Sequence, residues 1–117
     1  MHWGTKSESL DSVESPIYTS HMRIFDEVVG FEWNDGNRDK NLVKHGVSSG
    51  ECEEVFLDSY KVVRKDSKHS STEKRHVVIG KINQGRILFV SFTVRRDRIR
   101  VISARDVNKK ERKYYDQ

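Results

Sequence analysis

The chain has 117 residues, 34% of them charged and 34% hydrophobic, with a net charge of +4 at neutral pH. That length allows one domain whose modest core is drawn from a few concentrated apolar stretches, and argues against a second. The single cysteine, Cys52, excludes an internal disulfide and a cysteine-built zinc cluster, and no run approaches the roughly 18 apolar residues of a membrane-spanning helix.

These features predict a protein of a reducing compartment, the cytoplasm, with no membrane partner. Charge is unevenly spread. Residues 1–22 set Lys6 against Glu8, Asp11 and Glu14, so that segment is −2 and the remainder is +6. The last 32 residues, Arg86 to Gln117, hold ten Lys and Arg against four acids. Such a basic surface suits a phosphate backbone or an acidic protein partner, the plain alternative being a solvated face.

In chain order, residues 1–21 are rich in serine, contain the only proline, Pro16, and show no periodicity. They are expected to form a flexible leader or extension over 1–22, leaving residues 23–117 as the working domain. Val29 to Trp33 reads as a short strand. Asp35 to His45 reads as a polar helix closed by Gly46. Ser48 with Glu51 three residues on predicts a capping box, and Cys52, Val55 and Phe56 recur on one helical face. Tyr60 to Arg64 is a candidate strand, followed by a polar loop, Lys65 to Thr72.

Three stronger strands, Arg75 to Ile82, Arg86 to Val94 and Arg98 to Ala104, are separated by hairpin-length connections and predict an antiparallel meander. Asn108 and Glu111 then predict a capped terminal helix. The expected fold class is α+β: an antiparallel sheet of three to four main strands, two N-terminal helices and a C-terminal helix, with the helices on one face. Strand alternation turns Leu88, Val90, Phe92 and Val94 to the helices, and Ile87, Phe89, Ser91 and Thr93 away. It also puts Ile99, Val101, Ser103 and Arg105 on one face, so that Thr93 and Ser103 or Arg105 could share a surface with Arg75.

Candidate chemistry follows. His45 sits at a helix C-terminus that favours imidazolium, beside Lys44, whose charge opposes it. It serves either as a proton-transfer group or simply as a helix cap. Arg75, Arg95, Arg96, Arg98, Arg100 and Arg105 supply a field and forks suited to phosphate. Arg98 and Arg100 are expected only to cover the solvent side of an edge strand. Trp33 either stacks on a base or fills core, and core is the commoner use of such a residue. His69 and His76 show no metal spacing, and His2 and His21 lie in the leader. Neither a metal nor any other cofactor is inferred, and no glycine-rich phosphate loop or nucleophile elbow is present.

The ordered set Phe31, Trp33, Asn41, Lys44-His45-Gly46-Val47-Ser48, Val55-Phe56 and Asp58, continued by Glu73, Arg75, Gly80, Thr93, Arg95, Ile99, Ile102-Ser103-Ala104-Arg105, Glu111 and Tyr115, resembles the BrnT family of bacterial type II toxins. The likeness runs from Phe31 to Tyr115. Departures are Asn34 in place of the usual Asp, Asn37 where Lys is common, and Ser49-Gly50 in place of Phe-Glu. The resemblance implies a RelE-like fold and a metal-independent endoribonuclease that inhibits translation. Its partners would be RNA and a DNA-binding BrnA-type antitoxin, with operator DNA reached only through that antitoxin. On this reading His45 transfers protons with Glu73 or Glu111 as partner, Arg75, Arg95 and Arg105 clamp phosphate, and Lys44 adds field. Trp33, Thr93, Ser103 and Tyr115 would contact RNA, Tyr115 either stacking on it or packing against the sheet. Two other classes remain: a degenerate toxin that binds antitoxin and regulates its operon without cutting RNA, and a basic RNA-binding module.

Overall fold

The computed structural model describes residues 22–69 and 72–116. The expected leader, residues 1–21, lies outside the described residues. Strands β1 (Gly30–Phe31), β2 (Val62–Asp66), β3 (Arg75–Lys81), β4 (Ile87–Arg95) and β5 (Arg98–Asp106) form one sheet in the order β1-β5-β4-β3-β2. Helices α1 (Lys40–His45) and α2 (Ser49–Leu57) fall between β1 and β2, and α3 (Lys109–Tyr115) follows β5. The class is α+β as the pattern predicts, but the sheet has five strands rather than three or four. β2 to β5 pair antiparallel, whereas β1 adds only two residues, in parallel, to the far side of β5. A two-residue strand carries too little alternation for its partner to be read from sequence.

The helices do not share one face, and this corrects the expected layering. α1 and α2 cover the side on which Val63, Val78, Leu88, Val90, Phe92, Val101 and Ala104 meet Val47, Cys52, Val55 and Phe56. α3 lies on the opposite side, where Tyr114 and Tyr115 pack against Val77, Ile79, Ile87 and Phe89. The alternation expected in β4 is therefore correct, but both of its faces are covered near β4's start. On the α1/α2 side a 3₁₀ turn, Met22–Phe25, brings in Phe25, which joins Phe56 (4.9 Å from Phe92) in an aromatic cluster with centroid separations of 5.9 and 6.0 Å. Edge-to-face rings at this spacing contribute beyond their area burial.

α1 is shorter than the Asp35-to-His45 pattern suggests. Asn34 Oδ1 accepts from Gly36 N at 2.8 Å and Asn37 Oδ1 accepts from Asn34 N at 2.8 Å, so side chains hold residues 35–37 in a turn where helix was expected. Asparagine offers the backbone that alternative. Gly46 ends α1 with φ 66°, a conformation that favours glycine, and both expected capping boxes form. α2 then crosses β3 so closely that a Cβ on Gly80 would lie 2.8 Å from Val55 O and 2.9 Å from Val55 Cγ1. Gly80→Ala is accordingly expected to destabilise the fold by about 2 kcal/mol through overpacking against backbone, read as a lowered urea midpoint with an unchanged slope.

Beyond its short pairing with β1, the outer edge of β5 is completed by side chains. Asn37 Nδ2 donates to Val101 O at 3.1 Å, Lys40 Nζ donates to Ile102 O at 3.2 Å, and Asn41 Oδ1 accepts from Ala104 N at 3.0 Å. Backbone groups that a sixth strand would have claimed are thus satisfied locally. β5 is not an edge strand bare to solvent, and the expectation that Arg98 and Arg100 merely shield such an edge is corrected. β5 also bulges: Ser91 pairs with Ser103 but Phe92 with Val101, leaving Ile102 as the extra residue. One inserted residue reverses the alternation beyond it. Ile99 and Val101 therefore face the α1/α2 core, and Arg98 and Arg100 join Ser103 and Arg105 on the other face, not the set the pattern predicts.

Candidate functional site

On the α3 side the sheet surface changes character along the strands. Near the start of β4 it is apolar and lies under α3. Toward the other end the register sets Asp66, Arg75, Thr93 and Arg100 side by side across β2, β3, β4 and β5, with Arg64, Val77, Ser91 and Ser103 in the next row. Thr93 and Ser103 thus do share a surface with Arg75. Over this surface opens a cleft of about 240 Å³ lined by Lys40, Glu73, Arg75, Thr93, Arg95 and Arg100, with Asn37 and Ile102 at its α1 side. A second hollow of about 420 Å³ adjoins at Arg95 and runs to the β4–β5 turn, past Arg96 and Arg98.

The cleft is strongly cationic. Glu73 is bound by the Arg95 fork, with Nε at 2.6 Å and Nη2 at 2.9 Å. These hydrogen bonds hold its carboxyl below the usual range and raise the Arg95 guanidinium. Thr93 Oγ1 donates to Lys74 O at 2.8 Å, which fixes the loop entering β3. Three donors on this face of the sheet have no hydrogen-bond partner among the described residues: Arg100 Nη1, which belongs to the cleft, and Arg64 Nη1 and Ser91 Oγ in the adjoining row. Arg64 is 4% and Ser91 1% exposed, and burial works against the Arg64 charge, which lies over the Tyr114 ring. Buried donors without acceptors are costly, so their concentration on one surface points to an anionic ligand.

Other expected site residues stand elsewhere or are engaged. Arg105 donates to Glu111 from Nη1 at 2.8 Å and Nη2 at 2.9 Å, and lies over Phe89 at 4.3 Å. Glu111 is fully buried and also accepts from Asn108 N, so this pair fastens α3 to β5. Tyr115 packs on the sheet and donates to Asp58 Oδ2 at 2.6 Å. Burial and that hydrogen bond push its phenol up to about 12. Trp33 lies against the α1/α2 core, stacks on Phe31 and donates to Glu53 Oε2 at 2.7 Å. Lys44 and His45 are exposed at the C-terminal end of α1 and do not line the cleft. The His45 and Gly46 carbonyls accept from Arg86, which also binds Asp106 at the far end of β5.

Sequence reasoning named Arg100 but assigned it to shielding an edge, put Ser91 on the Thr93 face without a role, and gave no site role to Lys40 or Arg64. Strict alternation over Val62, Arg64 and Asp66 could have flagged Arg64, but the Ile102 bulge hides Arg100. His76 was set aside, and it proves structural: it stacks on Phe92 at 5.5 Å on the α1/α2 side. Burial, then Lys65 and Lys74, lower it to about 4, with Asp66 opposing. Because the folded value lies below the unfolded one, its contribution is complete above about pH 6.5 and is lost as pH falls toward 4. Stability should therefore fall by up to about 3 kcal/mol over that window, and His76→Phe should flatten this part of a urea-midpoint profile.

A compact α+β domain carrying a cationic, partly unsatisfied sheet surface beside two capped helices defines the class, a small basic α+β protein. A family model for the ribonuclease toxin BrnT of type II toxin–antitoxin systems matches residues 33–111, well over half the chain, and the protein belongs to that family. A search of curated proteins found no match. Membership brings an antitoxin as the implied partner. Among the described residues no helix is long and apolar enough to cross a membrane.

Proposed function

We propose that this protein is a cytoplasmic endoribonuclease toxin that binds single-stranded RNA across the β3–β4–β5 surface and cuts it without a metal cofactor, inhibiting translation. The observation that carries the reading is the convergence of Lys40, Arg75, Arg95 and Arg100 on one cleft, with Arg100 Nη1 buried there without a hydrogen-bond partner among the described residues. The domain doing this is residues 23–117, with a RelE-like arrangement. A BrnA-type antitoxin neutralises it and carries the pair to operator DNA.

Cleavage requires deprotonation of a 2′-hydroxyl, stabilisation of charge on a pentacoordinate phosphorus, and protonation of the departing 5′-oxygen. Arg75 and Arg100 are placed to bind the phosphate, and Lys40 and Arg95 add field. Thr93 and Ser103 shape the floor. Glu73, held by Arg95, stays anionic at the rim and repels misplaced phosphates. Lys44 and His45, at the C-terminal end of α1 and outside the cleft, contact RNA that continues along α1, and the proton-transfer role that the resemblance gives His45 passes to a group nearer the phosphate. Arg105 and Glu111 act chiefly by fixing α3, and Trp33 and Tyr115 by packing.

Induced expression in a bacterial host tests the reading. Growth arrest with fragmented RNA is expected, relieved by co-expression of an adjacent gene for a small DNA-binding protein. Arrest-free growth with intact RNA at verified expression overturns it in favour of a degenerate toxin that only binds its antitoxin.

A further inference from the structure

We propose that His69, held by Asp66, is the general base of the cleft, an assignment that rests on the ribonuclease reading above. Asp66 is 1% exposed and closes β2 directly opposite Arg75, so its side chain belongs to the row that continues through Thr93 and Arg100. His69 Nδ1 lies 2.9 Å from Asp66 Oδ2 and 3.0 Å from Oδ1, and the His69 backbone N–H donates to Oδ1 at 3.3 Å. A carboxylate only accepts, so Nδ1 carries the hydrogen, and in the neutral form of the ring it is Nε2 that presents the lone pair. The imidazole side chain is 21% exposed while the carboxylate is 2% exposed. A buried acid orienting a partly exposed histidine is the arrangement that fixes tautomer and direction in base catalysis.

Adjacent strands are about 4.8 Å apart, which puts Asp66 one strand from Arg75 in the register, so the dyad flanks the cleft on its β2 side without lining it. RNA bound to Arg75 and Arg100 would bring a ribose toward this end. His69 Nε2 takes the 2′-hydroxyl proton, the 2′-oxygen bonds to phosphorus, and the P–O5′ bond breaks. The 5′-oxygen leaves with a proton from water, giving a 2′,3′-cyclic phosphate and a 5′-hydroxyl. Asp66 is a positioning residue that acts through the ring.

The test uses the full chain and an unstructured RNA oligonucleotide. His69→Ala is expected to slow cleavage about 100- to 1000-fold with RNA affinity retained, and free imidazole should restore part of the rate. Asp66→Asn should lower kcat with KM little changed. If His69→Ala cuts at the parent rate, or loses activity that imidazole does not restore, the dyad has no catalytic role even though the ribonuclease reading stands. If the parent protein itself leaves the oligonucleotide intact, the ribonuclease reading fails and the dyad assignment fails with it.

Discussion

Arg75→Ala is expected to reduce RNA cleavage by about 100- to 1000-fold and to remove growth arrest on induction. Arg75 stands in the middle of the cleft, between Asp66 on β2 and Thr93 on β4. Its fork can hold two phosphate oxygens at once, and charge that develops on phosphorus is stabilised most by donors already in place. Arg75→Lys keeps the charge but loses the paired geometry, so it should recover only part of the rate. Arg75→Lys, which keeps a positive charge opposite the buried Asp66, should lower the melting temperature little. Single-turnover cleavage beside a thermal melt separates the two effects. A mutant that cleaves at the parent rate would move the phosphate site away from this row.

Glu111→Ala should have the largest effect on stability, about 3 kcal/mol or more. The carboxylate is fully buried, takes both Arg105 nitrogens, and accepts from Asn108 N at the start of α3. Its removal takes the paired carboxylate from the Arg105 guanidinium, which still donates to Asp106 O and lies over Phe89, and deletes half of the capping box. Breaking one partner of a buried pair costs far more than the pair contributes net, since the remaining charge is left without compensation. For a domain of this size the melting temperature should drop by more than about 10 °C. Glu111→Gln, which keeps an acceptor and the packing volume, should lose less. An undiminished melt for Glu111→Ala would show that α3 is held by Tyr114 and Tyr115 alone.

Much of this architecture is legible from local chemistry. Gly46, the Ser48–Glu51 box and the Asn108–Glu111 box act within four residues, so their outcome is set by the sequence around them. The meander and the two faces of β4 follow from unbroken alternation. What resisted reading depends on distant partners. The Ile102 bulge reverses the alternation across β5 and decides whether Arg100 or Val101 joins Thr93 on the α3 side of the sheet. The parallel pairing of β1, and the use of Asn37, Lys40 and Asn41 as a substitute strand edge, need tertiary contacts between segments more than sixty residues apart.

The same distinction holds for the site. Arg75, Arg95 and Thr93 were legible as a group because they sit on neighbouring strands of a simple hairpin. Arg105 was legible as a cation, but its engagement by Glu111 depends on α3 folding over the opposite face. His69 carried no signal, since a histidine three residues after an aspartate is common and only the end of β2 turns the two together.

The central question is whether the cationic sheet surface cuts RNA. The deciding measurement incubates the purified protein with an RNA oligonucleotide and with the same sequence carrying 2′-deoxyribose throughout, and identifies the fragment ends. The account predicts that only the RNA is cut, leaving 2′,3′-cyclic phosphate and 5′-hydroxyl ends, and that Arg75→Ala with Arg100→Ala abolishes the cut. Equal cutting of both strands, or full activity in the double variant, would contradict it.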